Sequence, residues 1–144
     1  DVDPTCRTVF GDVKTWILKT IELIGGKKGY QLLIKVHPAE KLYRSKETLQ
    51  DWLSYQKLPT NIYVINPEVS AYTVFDVTDC GIVSNSTVGL EMLLSNIPVI
   101  VVGDAHYKGL GFTIDVYDEG EYEDLSSAIE QGIRNLVGRH EESK

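Results

Sequence analysis

The sequence predicts an α/β protein built around a doubly wound parallel sheet. Short apolar runs rich in β-branched residues alternate along the chain with stretches whose apolar residues recur at helical spacing. This alternation is typical of parallel sheets that helices cover on both faces. The clearest unit spans residues 79–103, where an apolar run, a polar turn, a helical stretch and a second apolar run follow one another. Such a βαβ unit has about the minimum crossover length.

The elements follow one another in the order that such a sheet requires. We expect a helix over 8–24, a strand over 31–36, a helix over 46–56, a strand over 62–65, a helix over 70–77, a strand over 80–83, a helix beginning near 87, a strand over 98–102, an extended segment over 112–116 and a helix over 123–137. Gly25-Gly26 ends the first helix, Pro38 ends the first strand, and Ser70 caps the third helix. The stretch 104–111 is too polar and glycine-rich for the core. Together these elements describe a Rossmann-like fold.

Two further expectations come from this order. The helical spacing turns Tyr72, Leu94 and Ile133 toward the core. The order also opens on a helix, where a Rossmann-like domain begins with a strand. We therefore expect either that a leading strand belongs to an upstream segment, or that the ends of this chain lie inside a larger protein. The first residue, Asp1, is not a methionine, which also indicates a piece of a longer polypeptide.

Length and composition indicate one domain over residues 1–144, large enough for a buried core. The net charge of −7 and the lack of a basic stripe with interleaved aromatic residues argue against a nucleic-acid partner. No apolar run approaches the roughly 20 residues of a membrane span and no signal peptide opens the chain, which favours a cytoplasmic protein. Cys6 and Cys80 lack metal-ligand spacing, so we expect buried reduced thiols and no metal site.

The polar turn before the fourth helix is the candidate ligand site. It lies where the carboxyl end of a strand meets the amino end of a helix, and free backbone N–H groups at such a point favour an anion. Ser86 and Thr87 supply hydroxyls that could donate to a phosphate and also cap the helix. Gly89 would let the backbone approach the ligand closely. Glu91, one turn further along, could accept hydrogen bonds from hydroxyls attached to that phosphate.

Other polar residues also follow strands at this edge. His37 is held between a buried strand and Pro38, and either ring nitrogen could donate to the same phosphate. Asn66-Pro67 and Gly103-Asp104 follow two further strands, and we interpret both as ordinary turns. The carboxyl edge therefore gathers one histidine and one hydroxyl pair as its main candidates.

A glycine-bounded loop follows the last buried strand. His106, Tyr107 and Lys108 lie in it and could close over a ligand, although plain loop surface is the simpler interpretation. The positive charge that an anion needs would come from Lys108 together with His37, Lys35 and Arg44. No Walker loop, GxGxxG turn, nucleophile elbow or zinc motif is present, so no catalytic residue is assigned.

Two stretches resemble a known family. LIKVHPAE at 33–40 and SNSTVGLEMLLSNIPVIVVGDAHYKGLGFTID at 84–115 resemble the C-terminal half of capsular-polysaccharide biosynthesis glycosyltransferases, which have the two-domain GT-B architecture. The histidine-proline motif and the Ser/Thr pair are also similar to those of bacterial sialyltransferases and Kdo transferases. By this resemblance His37 and Pro38 lie against the nucleotide, Ser86 and Thr87 hold phosphate, and Glu91 binds the ribose hydroxyls.

The resemblance implies a domain that binds a nucleotide-sugar as its substrate, without a cofactor. A glycan or lipid-linked acceptor would be bound by a missing N-terminal domain, which commonly supplies the catalytic base. The full-length protein would then work in the cytoplasm, with peripheral association at the inner face of the membrane. This chain has no leading strand, no N-terminal domain and no obvious acid/base pair, so we do not expect it to catalyse the reaction alone.

Three alternatives remain open at this point. CDP-glycerol phosphotransferases also carry a histidine-proline motif, and sugar-nucleotide 2-epimerases share the architecture. Product analysis of the full-length protein would separate a glycosidic linkage, a phosphodiester and an epimerised sugar. The third alternative is a non-catalytic flavodoxin-like interaction module. It predicts that replacing His37 or Ser86 by alanine leaves the activity of the parent protein intact.

Overall fold

The computed structural model describes residues 8–36, 48–84 and 87–142, with side chains as far as Arg134. The elements in these ranges are α1 (Val13–Ile24), β1 (Leu32–Ile34), α2 (Leu49–Ser54), β2 (Ile62–Val64), α3 (Ala71–Phe75), β3 (Gly81–Val83), α4 (Val88–Leu94), β4 (Val99–Val101), β5 (Ile114–Asp115), α5 (Glu119–Tyr122) and α6 (Leu125–Glu142). Each of the five predicted strand positions contains a strand, which is shorter than its apolar run.

The strands form two separate sheets. In the first sheet β1 pairs with β2, and Leu33 lies opposite Tyr63. In the second sheet β4 lies between β3 and β5, and Ile82 of β3 lies opposite Ile100 of β4. All strand pairs in both sheets are parallel, as the alternation of helices and strands predicted.

Helices cover both faces of the three-stranded sheet. Val99 and Val101 of β4 pack in the cluster that contains α4, whereas Ile100 packs in the cluster that contains residues of α1, α5 and α6. All three side chains are at most 1% exposed, because β4 is buried on both sides. The predicted fold class, a doubly wound Rossmann-like α/β arrangement with parallel strands, is confirmed.

Helix α1 connects the two sheets. Ile17 packs with Leu49 of α2 and with Ile34 of the first sheet. Ile24, two turns further along the same helix, packs in one cluster with Ile100 of the second sheet and with Tyr122 of α5. One buried face of α1 therefore serves both sheets, and this face keeps the sheets side by side.

The first helix begins later than the sequence predicts. Gly11 has a φ of 88°, in the left-handed region, and Asp12 caps α1 by accepting the N–H of Thr15 at 2.7 Å. A residue with this φ cannot belong to a right-handed helix, so the helix begins after it. Thr8 instead forms an antiparallel bridge with Gly103.

Three predicted orientations are wrong. Tyr72 is 62% exposed, Leu94 is 85% exposed and Ile133 is 36% exposed. Helices α3 and α4 contain only five and seven residues. Apolar spacing over one or two turns does not define which side of a helix faces the sheet. The end of α4 therefore leaves Leu94 in solvent.

The prediction that residues 104–111 stay out of the core is also wrong. Ala105 is 8% exposed and Tyr107 is 3% exposed, and both belong to the cluster that contains Val83 and Met92. The loop backbone stays polar, but one large aromatic side chain turns inward. Burying a tyrosine ring outweighs the polar composition of the loop around it.

A buried hydrogen-bonded group joins α1 to α5. The hydroxyl of Tyr122 accepts from Trp16 Nε1 at 3.2 Å and lies 2.6 Å from Thr20 Oγ1. Because Thr20 donates its own hydrogen to the Trp16 carbonyl at 2.8 Å, the tyrosine hydroxyl must donate to Thr20. Tyr122 is fully buried, and the Phe10 ring meets its ring edge-on with centroids 5.2 Å apart. All polar atoms of this group are therefore paired.

Alkaline pH should destabilise the protein through the buried Tyr122 hydroxyl and the Cys80 thiol, which is free, as expected, but half-buried where the sequence predicted a buried thiol. Burial raises the pKa of Tyr122 from 10 to about 12 and the pKa of the Cys80 thiol from 9 to about 12. The unfolded chain loses these protons first as pH rises, so the stability is intact below about pH 9. It should fall by up to roughly 1.4 kcal/mol per pH unit for each group until about pH 12. Urea unfolding at several alkaline pH values measures this slope. Tyr122→Phe should remove the tyrosine's share of the slope between about pH 10 and pH 12 and leave the Cys80 share, which begins near pH 9; an unchanged slope would contradict the assignment.

Candidate functional site

Three chain segments meet at the carboxyl ends of β3 and β4. Ser84 follows β3 and Gly103 follows β4. The segment before α1 joins them, because the Val9 N–H donates to the Val102 carbonyl at 3.0 Å and Thr8 bridges Gly103. Open α/β sheets bind ligands at this edge. We call these segments, residues 8–12, 84, 87–91 and 102–108, the carboxyl-edge site.

Helix α4 supplies the helix start at this edge. Thr87 occupies the N-cap position, but it has α-helical angles (φ −66°, ψ −16°) and its side chain makes no capping hydrogen bond. The prediction that the Thr87 hydroxyl caps the helix is therefore wrong. Glu91 lies in the first turn and is half-buried. Since α4 is only seven residues long, the N–H groups of its first turn matter more for an anion than a long helix dipole.

Tyr107 packs directly on Gly89. A methyl group added at Gly89 would collide with the Tyr107 hydroxyl and would lie 3.0 Å from Tyr107 Cζ and 3.1 Å from Val83 Cγ2. Burial also raises the pKa of Tyr107. The sequence analysis predicted that a ligand approaches the backbone at Gly89. On the side where an added methyl group would project, the Tyr107 ring already fills the space. Gly89 therefore fastens the loop after β4 to the first turn of α4, and its contact with a ligand stays a prediction.

Polar contacts hold the rest of this loop in place. Lys108 Nζ donates to the Val116 carbonyl at 2.7 Å and lies 4.5 Å from the centre of the Tyr117 ring. Asp115 accepts from the Gly109 N–H at 2.8 Å. Burial, followed by the nearby Asp115 charge, raises the pKa of Tyr117. The Lys108 ammonium thus stabilises the loop in this structure, and a contact with a ligand stays a prediction.

The other predicted site residues fall into two groups. His106 is exposed, with its ring edge-on to Tyr107 at 5.3 Å between centroids, and Lys35 is exposed just after β1. The second group lies outside the described residues: His37, Pro38, Arg44 and Ser86. The structure therefore brings Gly89, Tyr107 and His106 to one edge, while the predicted approach of His37 to the Thr87 hydroxyl is untested.

The sequence interpretation missed the segment before α1. Residues 8–12 were assigned to the helix, yet Thr8 and Val9 lie against the end of β4. The start of α1 at Asp12 therefore lies near the same edge. A glycine followed by an acidic N-cap residue, as in Gly11-Asp12, is a known signal for a helix start and could have revealed this.

Residues 8–36, 48–84 and 87–142 contain no group of three His, Cys, Asp or Glu side chains that could hold a metal ion. Within that part of the chain, no helix has both the length and the apolar character needed to cross a membrane. Two open hollows of about 550 Å³ are found, and neither is lined by residues of the carboxyl-edge site.

Comparison with known proteins identifies the family. A family model described as capsule polysaccharide biosynthesis protein matches residues 15–124. The match runs from the first turn of α1 to the residue before α6, and so it includes both sheets and the carboxyl-edge site except its residues 8–12. No curated protein and no solved structure matches the chain. Because the matched segment makes up well over half of the sequence, the chain belongs to the family of capsule polysaccharide biosynthesis proteins.

Proposed function

We propose that this chain is the donor-binding domain of a glycosyltransferase with GT-B architecture that builds a capsular polysaccharide. The observation that carries the proposal is the packing of Tyr107 on Gly89. This contact holds the first turn of α4 and the loop after β4 side by side at the carboxyl edge of a doubly wound sheet. Nucleotide ligands bind at this edge in such folds. Family membership supports a role in polysaccharide synthesis.

The proposed donor contacts follow from the chemistry of the first turn of α4. The N–H groups at the start of a helix have no carbonyl partner within it, and in this proposal those of α4 bind the phosphate at the carboxyl edge. The Thr87 side chain is exposed and makes no capping bond, so its hydroxyl can donate to that phosphate. We assign Ser86 to the same phosphate, His37 and Pro38 to the nucleotide, and Glu91 to the ribose hydroxyls.

In this proposal the reaction needs no resident cofactor or metal ion. The bond between the sugar and the nucleotide phosphate breaks, and negative charge grows on the leaving phosphate. Backbone N–H groups and hydroxyls that already point at this phosphate stabilise the charge, at about 3 kcal/mol for a well-placed donor. The catalytic base and the acceptor, a glycan or a lipid-linked glycan, belong to a separate N-terminal domain. Such an enzyme would work in the cytoplasm at the inner membrane face.

Binding of nucleotides tests the proposal. We expect calorimetry or saturation-transfer NMR to detect binding of at least one of UDP, GDP, CDP and CMP. Failure of all four to bind at millimolar concentration would contradict the proposal. Product analysis with the full-length protein would then identify the reaction, since a phosphodiester or an epimerised sugar would replace the glycosidic linkage as the product.

Thr87→Ala should weaken nucleotide binding about tenfold or more, because a hydrogen bond to a charged phosphate contributes roughly 1.5–3 kcal/mol. The free energy of unfolding should stay within about 0.5 kcal/mol of wild type, since the Thr87 hydroxyl does not cap the helix. Thr60→Ala is the matched control: this exposed threonine precedes β2, at the opposite edge of the sheet. Equal affinities for the two variants would remove Thr87 from the site.

A further inference from the structure

Among the described residues, strand β1 has a partner strand on one edge only. Leu32 N–H donates to the Asn61 carbonyl at 3.0 Å, and the Ile34 carbonyl accepts from Ile65 N–H at 2.8 Å. In a parallel ladder, alternate residues turn both of their polar groups to the same neighbour. The N–H and carbonyl of Leu33 therefore point away from β2, and no described residue bonds to them.

Strand β3 has a matching unpaired edge. Gly81 N–H donates to the Pro98 carbonyl at 2.9 Å, and the Val83 carbonyl accepts from Val102 N–H at 2.9 Å. By the same alternation, Ile82 turns its N–H and carbonyl away from β4. Within the described ranges, nothing pairs with them either. Each sheet thus ends in an edge whose middle residue has both ladder groups available.

The two edges border the same apolar cluster beneath α1, and we call the region between them the slot. Leu32 of β1 and Ile82 of β3 both pack against the cluster that contains Ile24 of α1. On the other face, Leu33 lines an open groove of about 550 Å³ that is almost entirely apolar. The groove continues over Tyr63, which is 47% exposed, and over Val77, which follows α3 and is 70% exposed. Apolar surface therefore lies open on one face of the first sheet, next to its unpaired edge.

We propose that a single β-strand of the same polypeptide, N-terminal to Thr8, adds in parallel between β1 and β3. The two sheets would become one six-stranded sheet, with the added strand between β1 and β3. With the added strand as the first in the chain, the order is that of the doubly wound sheet, 3-2-1-4-5-6. The strand would bond to Leu33 on one side and to Ile82 on the other.

The position of Thr8 favours this occupant over others. Thr8 and Val9 lie against Val102 and Gly103, at the carboxyl edge where α1 starts. A parallel strand must end at this edge, so one that ends shortly before Thr8 reaches the slot through a short connection. A strand followed by α1 and then by β1 is also an ordinary right-handed crossover. A second copy of the chain would bring a whole sheet edge, which could pair with one of the two edges, whereas a lone strand can bond to Leu33 and to Ile82 at the same time.

The slot defines the chemistry of the strand. Alternate side chains would fill the groove beside Leu33 and Tyr63, and the others would lie beneath α1. Both faces would be buried, so we expect a short run of Val, Ile and Leu without an internal proline. Such a strand would also cover the side of Leu33 that faces away from β2.

Hydrogen exchange in the polypeptide translated from the complete natural reading frame tests the proposal. Relative to the 144-residue chain, the amides of Leu33 and Ile82 should exchange about 100-fold more slowly. Leu32 and Gly81 are matched controls, since their amides are already paired and report only on global stability. If the exchange rates of the Leu33 and Ile82 amides do not change after correction by these controls, the proposal is overturned. Protection that instead appears in the 144-residue chain as its concentration rises would also overturn it, in favour of a second copy.

A proline variant separates edge pairing from general stabilisation. Leu33→Pro removes the outward N–H but leaves the β1–β2 ladder intact, because Leu33 does not bond to β2. In the complete polypeptide this variant should return exchange at Ile82 at least about tenfold toward the rate of the 144-residue chain. Leu33→Val keeps the N–H, so exchange at Ile82 should stay slow in this variant. Equal exchange at Ile82 in both variants would contradict the added strand, and the test is independent of nucleotide binding.

Discussion

Tyr122→Ala is expected to lower the free energy of unfolding by about 3–5 kcal/mol, the usual cost of removing a large buried aromatic side chain. Tyr122 is fully buried in the cluster that joins α1 and α6 to the three-stranded sheet. Its removal leaves a cavity beside Ile100 and Val102, and it takes away the edge-on partner of Phe10. Urea unfolding followed by circular dichroism measures the loss.

The hydroxyl of Tyr122 should account for about 1–3 kcal/mol of this loss. Tyr122→Phe keeps the ring but leaves the buried Trp16 Nε1–H without its acceptor and removes the donor to Thr20. Tyr55→Ala is the control: this tyrosine is 79% exposed, and the change should stay within about 0.5 kcal/mol. A loss below about 1 kcal/mol for Tyr122→Ala would mean that this tyrosine does not join α1 to the sheet in solution.

The strands were the most predictable part of the fold. The run around Val99–Val101 is apolar at every position, and this composition occurs where a strand is covered on both faces. Helix bounds were less predictable. A left-handed glycine at position 11 overrides an apolar spacing that continues through Val9, because backbone conformation takes precedence over side-chain pattern.

The two buried tyrosines could not be found from local sequence. Tyr122 lies among Asp118, Glu119 and Glu121, and Tyr107 lies in a polar loop with two nearby glycines. Local composition predicts that both side chains are exposed to solvent. Both side chains are nevertheless buried, since tertiary packing decides where a single aromatic ring goes.

The candidate site was predicted in outline only. The sequence placed Thr87 and Gly89 at the carboxyl edge because a strand and a helix flank them, and the structure has this arrangement. The approach of Thr8 to Gly103 could not be predicted, because it joins positions far apart in the chain without any shared pattern. The partner that fills the space beside Gly89, Tyr107, was missed for the same reason.

Gly89→Ala is expected to destabilise the protein by about 2–3 kcal/mol, against the usual trend for helices. Alanine in a helix is normally better than glycine by about 0.5–1 kcal/mol. Here the new methyl group meets the buried Tyr107 ring and Val83, and overpacking of this kind costs about 1–3 kcal/mol and occasionally more. Chemical denaturation measures whether the free energy of unfolding falls or rises. A gain in stability would show that Tyr107 does not pack on the helix at Gly89.

A double-mutant cycle assigns this cost to one contact. Tyr107→Leu removes the hydroxyl and part of the ring, so Gly89→Ala in that background should cost at least about 1 kcal/mol less than in wild type. Gly120→Ala in α5 is the control, because its methyl group would meet no buried ring and only the exposed Asp118 Oδ1, the capping oxygen of α5, at 3.2 Å. Additive losses in the cycle would contradict direct packing. A measured coupling would mean that the loop after β4 and the turn after β3 move as one unit, so that a ligand at the carboxyl edge meets both together.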